Sequence, residues 1–195
     1  MKKENVKEMI ISSTIELIER SDGDINSITA RAIAEKSDVA LGLINYHFGN
    51  KENLISICVQ RIVNNIIRRF SPENVDYGAD DGLTDKERLI SYAQQTFDFI
   101  HNNFSVLKIS ILSDFKDYTT GSNSAMTQIG FQMAIRSGFS MEKKKLLSFC
   151  LTSIMQTAFL SGENSKAITG YDLSEKSERD SFIFDTVTLL MEGLQ

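Results

Sequence analysis

Apolar residues recur three and four positions apart along most of this chain, the spacing that marks one buried face of a helix. Val6, Met9, Ile10, Thr14, Leu17 and Ile18 form the first such face. Gly23 is placed to stop it, because glycine readily takes the left-handed conformation that follows a helix. A short second helix is predicted from Thr29, whose hydroxyl can accept an unpaired amide of the first turn. Ile28 and Ile33 occupy the two positions of a hydrophobic staple around that cap. The chain then turns at Ser37, Asp38 and Val39, and Leu41 to Phe48 reads as a third helix. Gly49 breaks it. Asn50 can cap a long fourth helix from Lys51, apolar at Leu54, Ile55, Ile57, Cys58, Ile62, Val63, Ile66 and Ile67.

The stretch Ser71 to Leu83 holds the chain's single proline, Pro72, and reads as a loop. Thr84 and Glu87 form a capping box, and Leu89, Ile90, Ala93, Phe97 and Ile100 continue it as an amphipathic helix. Further helices are predicted with Phe104, Leu107, Ile111, Leu112 and Phe115, between Ser122 and Gly138, and after Ser140. Gly162 to Leu173 reads as a polar connector, followed by a last helix from about Ser174 that carries Phe182, Ile183, Val187, Leu190 and Leu194. No strand pair or repeat is visible. The pattern predicts an all-α chain: a three-helix unit over residues 1–50, then a helical bundle over 51–195, with 51–70 as the connecting helix.

Composition agrees with a helical, globular chain. Of 195 residues, 42% are hydrophobic, 24% charged and one is proline, which interrupts helices. No apolar run approaches the roughly 18 residues of a membrane span, and the charged N-terminus lacks a signal core. The expectation is a cytoplasmic protein with no membrane partner. Cys58 and Cys150 lie far apart in apolar runs and read as buried, reduced thiols. Two cysteines and two histidines without ligand spacing argue against zinc, and no cofactor or metal is expected.

The net charge of −5, taken alone, argues against nucleic acid as a partner. Its distribution changes that inference. Residues 1–70 hold 10 basic and 9 acidic side chains, whereas residues 71–195 hold 11 and 17. The acid surplus belongs to the larger, C-terminal part.

Residues 29–51 read TARAIAEKSDVALGLINYHFGNK. Two short helices joined by a tight turn make a helix-turn-helix, which places its second helix in the DNA major groove. Ala34 is small enough to let the helices approach. Val39 and Ile44 can face inward, and Gly42 leaves the first turn of the second helix without bulk. Tyr46, His47 and Lys51 can donate to phosphate oxygens, and Thr29 and Arg31 lie at a helix N-terminus.

Here the sequence resembles the tetracycline-repressor (TetR) family of bacterial transcription regulators. The resemblance rests on Thr29, Ile33, Ala34, Val39, Gly42, Ile44 and the run Tyr46 to Leu54, and covers roughly the first 60 residues. It implies a homodimeric repressor that binds an operator in double-stranded DNA and releases it when a small-molecule effector occupies the C-terminal domain. Thr29 and Arg31 match DNA-contacting positions. Leu41, Gly42 and Asn45 match base-facing positions, and Tyr46, His47 and Lys51 match phosphate-contacting ones. Three positions depart from the family pattern. Asp38 stands where glycine is usual, although aspartate tolerates the left-handed conformation. Ala40 stands where a capping hydroxyl is common, and Asn45 replaces an aromatic.

For the effector, the candidates are Gln94, Phe97, His101, Ser110, Phe115, Gln128, Phe131, Gln132 and Gln156: aromatic rings with polar handles between helices. Most of the phenylalanines also read as plain core, and His101 as a structural histidine. For the dimer, the candidates are Leu151, Ile154, Ala158, Ser161, Phe182, Ile183, Val187 and Leu190. They would form a two-fold four-helix interface, doubling a site that one three-helix unit reads too briefly. Two alternatives compete with a regulator: a helical enzyme, for which no nucleophile elbow or phosphate loop is visible, and a helical adaptor that binds protein.

Overall fold

The computed structural model describes residues 3–67, 82–136 and 138–193, and among them every regular element is helical. The order is α1 Lys3–Glu19, α2 Ala30–Lys36, α3 Gly42–Phe48, α4 Lys51–Ile67, α5 Asp85–Asn102, α6 Phe104–Lys116, α7 Asn123–Ala134, α8 Met141–Leu160, α9 Ser165–Thr169 and α10 Lys176–Glu192. The sequence-predicted end of the connecting helix (Arg68, Arg69, Phe70), most of the 71–83 loop with Pro72, and Leu194 lie outside the described residues.

Two compact units divide the chain. One comprises Met1–Val75 with Asn103–Ser113, the other Asp76–Asn102 with Asp114–Gln195. This differs from the expected cut between residues 50 and 51. The reason is packing: α4 lies against α1 and α3, and Phe104–Ser113 of α6 joins the end of α1.

In the first unit, the alternating apolar faces meet as predicted. Ile10, Ile18, Ile33, Ile44 and Leu54 are fully buried, each such side chain contributing about 1.5–3 kcal/mol. Two cross-helix ion pairs hold the periphery. Arg61 grips Glu8 with two hydrogen bonds of 2.6 and 3.0 Å, and Lys36 meets Glu16 at 2.7 Å. These donors hold both carboxyls below their ordinary pKa. Cys58 is buried as expected, and burial pushes its thiol up to about 12.

In the second unit, α5 packs on α10, α7 and α8, while α8 also packs on α7 and α10. Phe97, Phe131 and Phe159 fill the interior. The α5–α7 approach is close because α7 carries Gly130, where a Cβ would collide with the Tyr92 hydroxyl. The Thr84–Glu87 capping box forms, with amide bonds of 2.8 and 3.2 Å. The supposed polar connector 162–173 contains a 3₁₀ turn, Gly162–Asn164, and the five-residue α9. That helix is too short to show an amphipathic period, so its pattern passed for a loop. The last helix starts at Lys176, after the predicted Ser174, and Glu175 stands at its cap position. Arg179, nearly buried on α10, ties this corner together. It donates to Asp98 at 2.9 Å and to the carbonyls of Leu173 and Ser174 at 3.0 and 2.8 Å.

Candidate nucleic-acid interface

The 29–51 segment folds as its local chemistry dictates. Thr29 has extended backbone, and its hydroxyl accepts from the Ala32 amide at 3.0 Å, satisfying a free donor of the first turn of α2. Ile28 and Ile33, the staple pair, are buried. At the far end, Ser37 Oγ donates to the Ile33 carbonyl at 2.6 Å, and the Val39 amide donates to the Ala34 carbonyl at 3.1 Å. The turn demands a left-handed residue, and Asp38 supplies it at φ +50° in place of glycine. Nothing caps α3 with a side chain, consistent with Ala40 and Leu41 preceding it. Ile44 and Phe48 anchor its inner face in the core. Asn50 then caps α4 by accepting from the Asn53 amide at 2.7 Å, while Asn53 Nδ2 donates to the Phe48 carbonyl at 2.9 Å.

The outer face of this unit carries most of the predicted DNA-contacting residues. Thr29, Arg31, Leu41, Gly42, Asn45 and Tyr46 are exposed, with Leu41 and Tyr46 at 50% and 66% despite their size. A Cβ at Gly42 would meet nothing within 4 Å, so the start of α3 is open to an incoming surface. His47 is half-buried and lies edge-on between the rings of Tyr46 and Phe48, at 4.9 and 6.1 Å. Beside Arg31, a concavity of about 430 Å³ is lined by Glu35, Asp38, Ala40 and Leu41 among others. Its two carboxylates were not foreseen as part of this surface. They make the α2 side of the corner less basic than Arg31 alone would.

Lys51, expected as a phosphate donor, rests against the protein itself. Its ammonium folds back 3.3 Å from the Ile25 carbonyl and 3.8 Å from Glu52, leaving the side chain 21% exposed. The backbone turn before α2 offers a fixed acceptor within reach of the flexible lysine stem. Sequence spacing could not reveal that acceptor.

The same turn is held from a second side by residues that the sequence reading did not connect with this unit. Lys108 of α6 donates to the Asp22 carbonyl at 3.2 Å, and Ser105 to that of Glu19 at 3.4 Å. Both acceptors lie at the carbonyl end of α1, where partial negative charge favours a cation. No local pattern could have found this contact, which spans 86 positions.

The effector candidates are dispersed. Ser110 is buried and belongs to the first unit, and Phe115 is half exposed. Phe97 and Phe131 are fully buried core. Gln94 donates to the Asp180 carbonyl at 3.0 Å, and Gln128 to the Tyr118 hydroxyl at 2.6 Å. Gln132 donates to Ser148 at 3.1 Å and Gln156 to Ser124 at 2.7 Å. Ser124 in turn donates its hydroxyl and amide to buried Asp114, at 2.5 and 2.8 Å. His101 Nδ1 sits 3.0 Å from the Phe97 carbonyl, and the ring lies edge-on to Phe97 and Phe159 at 4.5 and 5.4 Å. Burial lowers its pKa. Of these, only Gln132 with Ser148 and Gln156 with Ser124 bridge α7 and α8, forming a short polar seam whose partners are satisfied. Between the Ser148 and Gln156 positions, Thr152 Oγ1 is buried without a hydrogen-bond partner.

The dimer candidates also fall differently from expectation. Leu151, Ala158, Phe182, Ile183 and Val187 are buried within the second unit, and Ile154, Ser161 and Leu190 are half-buried. The same two helices leave Leu146, Phe149, Phe184 and Leu189 exposed, at 49–72%. Helical periodicity finds an apolar face but does not say which neighbour covers it, and here the monomer covers the predicted one. Among the described residues, no group of three His, Cys, Asp or Glu is placed to hold a metal ion. No described helix is long and apolar enough to cross a membrane.

Among the described residues the chain is a helix-turn-helix with an open outer face joined to further helices, which defines the fold class as all-α with an N-terminal helix-turn-helix. Residues 10–56 match the family model for bacterial regulatory proteins, tetR family. Solved structures resemble the whole chain. A TetR-like transcriptional regulator from Rhodococcus sp. RHA1 is 14% identical with a TM-score of 0.63, covering 99% of both chains. A tetR-family regulator from Streptomyces coelicolor has the same identity and TM-score, covering all of this chain and 83% of its own. The regulator FadR from Bacillus subtilis, solved with stearoyl-CoA, is 18% identical with a TM-score of 0.53, covering 95% and 97%. No match is found among curated proteins. Residues 10–56 are thus similar to the tetR-family regulatory segment, and the chain as a whole has the fold of the TetR-type structures.

Proposed function

We propose that this protein is a homodimeric transcriptional repressor that binds a pseudo-palindromic operator and leaves it when a small molecule binds the second unit. The observation that carries this is the exposed face of α3 beside Arg31, in a domain matching the tetR family model. Arg31 is exposed and makes no ion pair among the described residues, so it is available to a phosphate. Dimerisation is supported by the exposed Leu146, Phe149, Phe184 and Leu189, large apolar side chains that α8 and α10 leave open to a partner. An effector is supported by the α7–α8 polar seam with its unpartnered Thr152 hydroxyl, because an unsatisfied buried donor disfavours the closed arrangement.

The test is retardation of duplex DNA from the gene's own upstream region by purified protein, across a range of salt concentrations. Binding should weaken in Arg31→Ala, and its salt dependence should flatten by about one counterion. Sedimentation should give a dimer that Phe149→Glu dissociates. A monomer that retards no DNA would favour a protein-binding adaptor, and turnover of a metabolite would favour an enzyme.

A further inference from the structure

Between Lys36 and Lys51 the chain contains no arginine and no lysine. That interval holds the whole turn and all of α3, so the recognition helix has neither of the side chains that pair with guanine O6 and N7. The outward-facing residues are of two other kinds. Asn45 is exposed and its amide makes no hydrogen bond among the described residues. An asparagine amide matches adenine, donating to N7 and accepting from the 6-amino group. Leu41 is half exposed, with helical backbone at φ −49° and ψ −38°, and Gly42 beside it leaves open space. An exposed aliphatic side chain at the open end of a recognition helix has one favourable partner in the major groove, the 5-methyl group of thymine.

The spacing suits base pairs two steps apart. Residues 41 and 45 are one turn apart on the same side of the helix, separated by about 6 Å along its axis. Successive base pairs rise about 3.4 Å, so the two side chains reach positions roughly two steps apart. Ala40, also exposed, extends the apolar end. Tyr46 is exposed and His47 half-buried in the last turn of α3.

Resting on the DNA-binding reading above, we infer that α3 reads A·T pairs: Asn45 specifies an adenine and Leu41 a thymine methyl about two base pairs away, with no guanine read by this helix. These two side chains are the specificity-determining residues of each half-site.

The experiment selects duplexes from a random pool with the full chain, then replaces bases singly in the enriched half-site. Deoxyuridine removes the thymine methyl, and 7-deazaadenine removes the N7 acceptor. At one thymine, uracil should weaken wild-type binding about fourfold, the weight of one methyl group, and should have no effect on Leu41→Ala. At one adenine, 7-deazaadenine should weaken wild-type binding about tenfold and leave Asn45→Ala unchanged. Both variants alter exposed side chains and should fold as wild type. Analogue penalties that persist in the variants, or a guanine whose preference vanishes in either of them, would overturn the assignment while leaving DNA binding intact. A pool from which no duplex is enriched would overturn the DNA-binding reading and this inference with it.

Discussion

Replacing Gly23 with alanine probes whether α6 is built into the first unit. Gly23 has φ +74°, a conformation that costs an L-residue with a Cβ about 1–2 kcal/mol. The added Cβ would also lie 2.6 Å from Cδ and 2.8 Å from Cβ of Lys108, closer than such atoms approach. The Lys108 stem must move, and its bond to the Asp22 carbonyl, a contribution of about 0.5–1.5 kcal/mol, is lost. Reduced freedom of the unfolded chain returns about 0.4–1 kcal/mol. The net expectation is a destabilisation of about 2 kcal/mol, measurable by urea unfolding of the full chain. A double-mutant cycle isolates the contact. In a Lys108→Gly background the stem is removed from Cβ outward and the collision with it disappears, so Gly23→Ala should cost only the backbone part, about 1 kcal/mol. A full-size penalty in both backgrounds would refute the packing of α6 on this turn. A Gly23→Ala penalty below about 0.5 kcal/mol would refute the left-handed turn itself.

Three further outcomes follow from the same geometry. Lys51→Met should weaken DNA binding without changing its salt dependence, because the ammonium is held by the Ile25 carbonyl; a fall in slope of about 0.9 would restore it as a phosphate contact. His101, whose pKa burial holds below the ordinary value of about 6.5, binds fewer protons folded than unfolded across that window. Stability should therefore be complete above pH ~6.5 and decline as pH falls toward the folded pKa, and His101→Gln should abolish that portion of a pH–stability profile. Arg179→Ala should cost about 3 kcal/mol in chemical denaturation, since it strips Asp98 and two carbonyls of a nearly buried partner; a loss under 1 kcal/mol would mean that water replaces it freely.

The helix-turn-helix was legible because its determinants are local. Thr29 caps within three residues, Asp38 turns the chain by its own backbone, and Ile33, Ala34, Ile44 and Phe48 face the core at fixed spacing. The same logic exposed Leu41, Gly42 and Asn45, because residues excluded from a buried stripe must face outward. The resting place of Lys51 was not legible, because a long, flexible cation goes to the nearest fixed acceptor, and that acceptor lies 26 positions away in sequence.

By itself, then, the sequence determined what short-range physics controls: helices, caps, breaks, the motif and the side chains on its outer face. Only the tertiary structure decided which unit each helix joins and which apolar faces the monomer keeps. Phe104–Ser113 completes the first unit through a lysine against a glycine too small to block it. The faces of α8 and α10 that looked ready for a partner are closed within the chain, and Phe149 and Leu189 are left outside. Periodicity records that a face is apolar, but its coverage depends on helices distant in sequence that meet it only on folding.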